Sequence, residues 1–260
     1  MSYPPFDLSG RVVLVTGGNA GIGLGFAEGL ARAGADICIW GTSEARNAEA
    51  LEKLSAQGRR VAALRCDVSD KAEVERSFAA TLEQFGRVDG CFANAGIMSV
   101  QRPFHEMTEA DLDRTFGVNL KGAMFTLQCA ALHMKQRAEA GDPFGRLVVT
   151  SSLSAVSGLA RGEDYAATKG AMLSVMRGLC VEYARYGVTA NSIVPGWIET
   201  AMTGPLLESD KFVKAVTARI PLRRFGKPED FAGIAVYLMS TASAHHTGDQ
   251  FTIDGGYQNF

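Results

Sequence analysis

Residues 11–23 read RVVLVTGGNAGIG, and this stretch decides the fold. Arg11–Thr16 is a short run rich in β-branched side chains, which predicts a strand, and Ile22–Gly34 is apolar-periodic, which predicts a helix. The loop between them carries Gly17, Gly21 and Gly23, a GxxxGxG spacing, with Asn19 and Ile22 among them. Glycine at such positions lets backbone approach a pyrophosphate closely, and the start of the following helix offers unpaired N–H groups and a partial positive charge. No Lys-Ser/Thr pair follows the last glycine, so the loop is not a Walker loop. The plainer alternative is a turn that only packs a helix on a strand.

The same alternation continues down the chain. Strands are predicted at Ala35–Trp40, Arg60–Cys66, Val88–Ala93, Arg146–Ser151, Val188–Val194 and Gln250–Asp254. Helices are predicted at Ser43–Gln57, Lys71–Phe85 and Asp164–Tyr186, with a long helical region after the fourth strand. Apolar strands separated by helices, without hairpin dipeptides, imply a parallel sheet covered on both faces. In such a doubly wound sheet, ligands bind at the carboxyl ends of the strands. The polar and glycine clusters obey that polarity: Asp67-Val68, Asn94-Ala95-Gly96, Ser151-Ser152 and Pro195-Gly196 each follow a predicted strand.

The 260 residues are 47% hydrophobic and 21% charged, enough for one large domain with a well-buried core. A formal net charge of -2 provides no basic face, which argues against nucleic acid as a partner. No segment approaches the roughly 18 uninterrupted apolar residues of a membrane span, and the first ten residues, MSYPPFDLSG, do not resemble a secretory leader. The five cysteines contain no CxxC and mostly sit in apolar runs, as reduced core residues of a cytoplasmic protein do. His245-His246 lacks a third ligand at a useful spacing and is read as surface or interface rather than metal-binding.

Tyr165 and Lys169 stand four residues apart in YAATK, on one face of the predicted helix. A phenol titrates near ~10, and a neighbouring ammonium favours the phenolate, so the pair is a candidate general acid/base. Tyr and Lys also meet at this spacing by chance.

Taken together, TGGNAGIG (Thr16–Gly23), CDV (Cys66–Val68), NAG (Asn94–Gly96), FGVNLKG with Asn119, the serine pair ending at Ser152, YAATK and PGWIET (Pro195–Thr200) resemble the short-chain dehydrogenase/reductase family, of the compact single-domain kind. The resemblance runs end to end, and several ordered motifs at matching spacings are more specific than any one. It implies an α/β fold: a Rossmann-like, doubly wound, mainly parallel seven-stranded sheet flanked by helices on both faces, in one domain over 1–260. It implies an NAD(P)-dependent oxidoreductase acting on a small-molecule secondary alcohol or ketone. Tyr165 would then be the general acid/base, Lys169 would lower its pKa and bind the nicotinamide ribose, Ser152 would hold the substrate oxygen, and Asn119 would connect Lys169 to solvent. Asp67 and Val68 would contact adenine, Asn94, Ala95 and Gly96 would lie near the nicotinamide ribose, and Ile198 and Thr200, after Pro195 and Gly196, would touch the carboxamide. Asp67 could instead cap the helix that starts near Asp70.

NAD-preferring relatives place an acid at the end of the second strand, where it meets the ribose 2′-OH. Here that strand ends Trp40-Gly41-Thr42-Ser43, with no acid. Thr42, Ser43 and Arg46 could take a 2′-phosphate, so the reading leans to NADP(H). Thr203–Arg219 corresponds to the family's mobile substrate lid. Met98, Leu153, Leu159, Trp197 and Met202 are expected near an apolar substrate end, with Arg161, Glu163 and Asp164 as possible charges beside it. Family members of this size are usually homotetramers or dimers, and the final GGYQNF could reach a neighbouring subunit. A dinucleotide sensor on the same fold stays open as the second class, although it would not need Ser152, Tyr165 and Lys169 together.

Overall fold

The computed structural model describes residues 4–259. Seven strands, β1 (Val12–Thr16), β2 (Asp36–Gly41), β3 (Val61–Arg65), β4 (Gly90–Ala93), β5 (Gly145–Thr150), β6 (Val188–Pro195) and β7 (Gln250–Ile253), form one sheet in the order β3-β2-β1-β4-β5-β6-β7. Every neighbouring pair is parallel. The seven predicted strands are therefore all present, with ends displaced by one or two residues. The strand order turns back between β1 and β4, so a crevice opens there at the carboxyl ends.

Alternate residues of β1 point to opposite faces. Val12 and Leu14 join the core layer that holds Phe78, Leu127 and Met172; Val13 and Val15 join the other, with Phe26, Ile39 and Leu238. All five β1 residues are buried, as a strand covered on both faces requires. Helices α1 (Gly21–Arg32), α2 (Glu44–Ser55), α3 (Lys71–Phe85), α4 (Glu109–Phe116), α5 (Ala123–Glu139), α6 (Glu163–Tyr183), α7 (Gly204–Leu207), α8 (Asp210–Arg219) and α9 (Ala232–Met239) supply the cover. On one side α1 seats Phe26 5.3 Å from the ring of Phe92 and 6.1 Å from that of Phe231. Truncating such a fully buried aromatic to alanine costs about 3–5 kcal/mol.

Helix boundaries follow local chemistry. α3 occupies the predicted Lys71–Phe85: the Asp70 carboxylate accepts from the amides of Ala72 and Glu73, and Gly86 ends it in the left-handed region at φ 77°. Asp67 does not cap this helix; its carboxylate turns back to Ser69, accepting from its amide at 2.9 Å and its hydroxyl at 2.7 Å. The expected lid, Thr203–Arg219, contains two helices, α7 and α8. Ser209 stands extended between them and caps α8 through Phe212. Between α4 and α5 the chain widens into a π-helical turn, Gly117–Gly122, which contains Asn119. Among the described residues no helix is long and apolar enough to cross a membrane.

Candidate functional site

The glycine loop leaves β1 with Gly17 at φ 61° and Gly21 at φ 52°, both in the left-handed region that a side chain disfavours. It is tied across the switch point to the segment after β4. Thr16 Oγ1 accepts from the amides of Asn94 and Ala95, each at 3.0 Å, and Asn94 Nδ2 donates to the carbonyls of Thr16 and Gly17. A Cβ on Gly17 would stand 3.0 Å from Ala95 Cα, and one on Gly23 would overlap the Gly17 carbonyl. α1 starts at extended Ala20 with no side-chain cap, whereas Ser43, Asp70 and Thr108 cap α2, α3 and α4. The first amides of α1 thus lack a side-chain partner and lie in a cradle only glycine fits, which suits the pyrophosphate of a dinucleotide.

A cavity of about 380 Å³ extends from this loop across the carboxyl ends of β4, β5 and β6. Gly17, Asn19, Gly21 and Ile22 line one end; Asn94, Ala95 and Gly96 follow; Ser152, Tyr165, Lys169, Pro195, Gly196, Ile198 and Thr200 line the rest. The predicted apolar residues Met98, Leu153, Leu159, Trp197 and Met202 all line it too. Six predicted residues do not. Gly23 packs beneath the loop, and Thr42 is exposed at the end of β2. The Ser43 hydroxyl accepts from the Arg46 amide as the α2 cap, while Arg46 itself does line the cavity. Asp67 is engaged with Ser69, and Val68, 5% exposed, packs where a Cβ on Gly122 would strike it. Asn119 is buried beside the cavity.

The π-helical turn aims the Asn119 amide at one residue: its Oδ1 accepts from the Ile97 amide at 2.8 Å and its Nδ2 donates to the Ile97 carbonyl at 2.9 Å. A Cβ on Gly96 would lie 3.3 Å from Asn119 Oδ1 and 3.4 Å from Lys169 Nζ, so glycine keeps that space open between them.

α6 carries Tyr165 and Lys169 into the cavity, with Nζ 5.5 Å from the centroid of the phenol ring. The ammonium donates to the Thr150 carbonyl at 2.8 Å. Ser152 lies within hydrogen-bonding reach of the phenol and accepts from the Ser154 amide at 3.2 Å. Burial governs both titrations: it raises Tyr165 above the ordinary phenol value, against the lowering by Ser152, and pushes Lys169 down to about 8. In the structure the influences on the phenol are desolvation, the larger, and the Ser152 hydroxyl. Deprotonating the phenol beside the protonated lysine converts a lone buried charge into a net-neutral pair, the arrangement a low-dielectric site favours.

Thr150, Ser154 and Tyr257 are among the lining residues that the sequence reading did not place in the site. Thr150 contributes a backbone carbonyl, a group that no side-chain pattern announces. Ser154 follows the serine pair, and Tyr257 of the final segment turns into the cavity of its own chain; Phe260 of that segment lies outside the described residues. His246, exposed, shares a 2.6 Å hydrogen bond through Nδ1 with the hydroxyl of Tyr237.

The family model described as Enoyl-(Acyl carrier protein) reductase matches residues 17–258. The chain is 36% identical over 253 residues to L-rhamnose 1-dehydrogenase (NAD(P)(+)) of Sphingomonas sp. strain SKA58, covering 96% of each. It is 33% identical to levodione reductase of Leifsonia aquatica, covering 98% of this chain and 97% of that one. Its fold superposes with a TM-score of 0.92, at 32% identity and 98% coverage of both chains, on a gluconate 5-dehydrogenase from Burkholderia cenocepacia J2315 in complex with NADP and tartrate. With the glycine cradle, the serine–tyrosine–lysine cluster and the strand order all in place, this chain belongs to the short-chain dehydrogenase/reductase family of NAD(P)-dependent oxidoreductases that act on a CH–OH group.

Proposed function

We propose that the chain interconverts a secondary alcohol and a ketone with NADP(H), using Tyr165 as general acid/base, Lys169 as its electrostatic partner and Ser152 as the donor to the substrate oxygen. The observation that carries this reading is the convergence of all three side chains on one cavity whose other end is the glycine cradle. The nicotinamide cofactor, when bound, accepts or delivers the hydride. The Ser154 amide donates to Ser152 Oγ, so the serine's single proton points at the phenol oxygen and turns to the substrate oxygen when substrate is bound. Tyr165 takes the alcohol proton in oxidation and returns it in reduction, with the Lys169 ammonium stabilising the phenolate between. Asn119 positions the wall at Ile97 and borders the space beside Lys169 through which water reaches it.

The lean to NADP(H) rests on the end of β2, where Gly41, Thr42 and Ser43 present no acid and Arg46 reaches the cavity. Asp67 and Val68 form the adenine-side border, and α7 with α8 forms the substrate lid. Exposed Leu112, Leu132 and Val181 on α4, α5 and α6, the last at 81% exposure, support a homodimer or homotetramer that covers this face. Five free cysteines support the cytoplasm as the compartment. The test is the change in reduced-nicotinamide absorbance with NAD and NADP in parallel over a panel of alcohols and ketones. Tight cofactor binding with no turnover anywhere in a broad panel would sink the catalytic reading.

A further inference from the structure

Building on that reading, we infer that the substrate is a compact, uncharged ketone or secondary alcohol with a second oxygen function recognised by Ser154, and that carboxylates and phosphate esters are excluded.

Beyond Ser152 and Tyr165 the cavity is walled by Met98, Leu153, Leu159, Trp197, Met202 and Leu206. Trp197 is braced edge-on by Phe212 of α8, ring centroids 5.2 Å apart. Among the described residues the charged side chains lining the cavity are Arg46 and Lys169. Lys169 is committed to the Thr150 carbonyl. Arg46 belongs to the helix after β2, three strands from β5 in the sheet order, and its side chain reaches back to the border of the cavity. Arg46 also lines a second, open cleft with Arg114, and Met98 and Met202 belong to the wall that the two cavities share.

The charges that the sequence placed near the substrate stay out of the cavity. Arg161 is exposed and its amide donates to Glu163 Oε1, while Asp164 is buried at 3% exposure and does not line it. Arg219 lies behind Tyr257, donating to its hydroxyl at 2.8 Å. Arg46 and Arg114 stand at the Met98–Met202 border, but an anion held deeper, among Leu153, Leu159 and Trp197, would shed water without a cation in that part of the wall, which is prohibitive unless it is neutralised.

One polar group in that wall is unspent. Ser154 lines the cavity on the short turn after β5, its amide already given to Ser152, and its hydroxyl is shielded from solvent with no partner among the described residues. Rotation about one side-chain bond turns it to the cavity, next to the oxygen that holds the reacting carbonyl. A lone unpaired hydroxyl in an apolar wall favours a substrate that supplies its partner and penalises the analogue that lacks one.

The experiment uses the whole protein with NADPH and NADH and four ketones: cyclohexanone, 2-hydroxycyclohexanone, 4-oxocyclohexanecarboxylate and its methyl ester. The ester is expected to exceed the acid in kcat/KM by at least about 100-fold, and 2-hydroxycyclohexanone to exceed cyclohexanone by about 10-fold or more. Ser154→Ala should collapse the second ratio to within about threefold and leave the first standing. An acid that reacts within about threefold of its ester overturns the exclusion of charge, and a hydroxyketone preference that survives in Ser154→Ala overturns the role of that serine. Binding is read separately from turnover through Trp197 fluorescence with NADP present; of the chain's two tryptophans the other, Trp40, is fully buried. Preferential binding of the ester without turnover of any ketone would uphold this inference and sink the oxidoreductase reading. Good turnover of the acid would do the reverse.

Discussion

Lys169 Nζ is anchored to the Thr150 carbonyl at 2.8 Å, so a helix side chain is pinned to the last residue of β5 while it stands beside Tyr165. The ammonium keeps its position whether or not the phenol carries its proton. Removing the phenol oxygen alone therefore leaves the cradle and the lysine in place. Tyr165→Phe should lose about 10³-fold or more in kcat while the dissociation constant for NADP(H), measured by nicotinamide fluorescence, stays within about twofold. Activity like that of the unmodified protein would remove Tyr165 from the mechanism.

The depressed Lys169 titration makes a stability prediction. Burial brings it from 10.5 to about 8, so between those values the unfolded chain holds the proton that the folded chain has released. Stability contributed at this site rises with pH across that window, and below pH 8 the full cost of a buried charge is present. Lys169→Met should melt above the unmodified protein at pH 7, and the gap should narrow toward pH 10. A gap that is constant or widening over that range would show that the ammonium is not desolvated. The raised phenol gives a kinetic counterpart: kcat/KM for alcohol oxidation should climb with pH above neutrality, because it needs the deprotonated form, and that for ketone reduction should not.

Two glycines of α1 separate binding from folding. A Cβ at Gly23 would overlap the Gly17 carbonyl inside the cradle, whereas one at Gly25 would overlap the Pro228 carbonyl on the far side of the helix. Gly23→Ala should weaken cofactor binding by about 10-fold or more with a small loss of stability; Gly25→Ala should reverse that balance. Titration calorimetry beside thermal melts decides it.

Asn119 satisfies both backbone groups of Ile97, and at 1% exposure nothing replaces it. Asn119→Ala should cost about 2 kcal/mol in urea unfolding, the penalty of orphaned buried amide groups. Asn119→Asp, which keeps the acceptor and loses the donor, should recover part of that loss.

Arg46→Ala should weaken NADP binding by about 10–100-fold, as expected for loss of a charge-assisted bond, and change NAD binding by less than about twofold. Equal effects on both cofactors would withdraw the 2′-phosphate from this arginine.

The sheet was legible because each strand is a short apolar run with turn chemistry at its ends, and α3 was legible to the residue because Asp70 and Gly86 punctuate it. Helical spacing put Tyr165 and Lys169 on one face of α6, where both line the cavity, while their roles came from the resemblance; the glycines of the loop marked the cradle. Other features depend on tertiary placement. The Thr150 carbonyl leaves no trace in side-chain pattern, and the degree of burial that raises Tyr165 against the Ser152 hydroxyl is a property of packing, not of spacing. The break before α8 was signalled by Ser209-Asp210, a cap pair hidden inside an otherwise apolar-periodic run. Arg161, Glu163 and Asp164 show the limit most plainly: three adjacent or nearly adjacent charges next to Tyr165, none of which faces the cavity.

Thr150 holds more than the lysine. Its hydroxyl donates to Asn94 Oδ1 at 3.0 Å, and Asn94 Nδ2 in turn holds the carbonyls of Thr16 and Gly17. An unbroken chain of polar contacts thus runs from the cradle to the ammonium, with a single strand-end residue as its middle joint. The two halves of the site have no independent tuning: any substitution that shifts the strand end must appear at once in nucleotide affinity and in the pH profile, so neither trait can be altered there without the other being re-optimised.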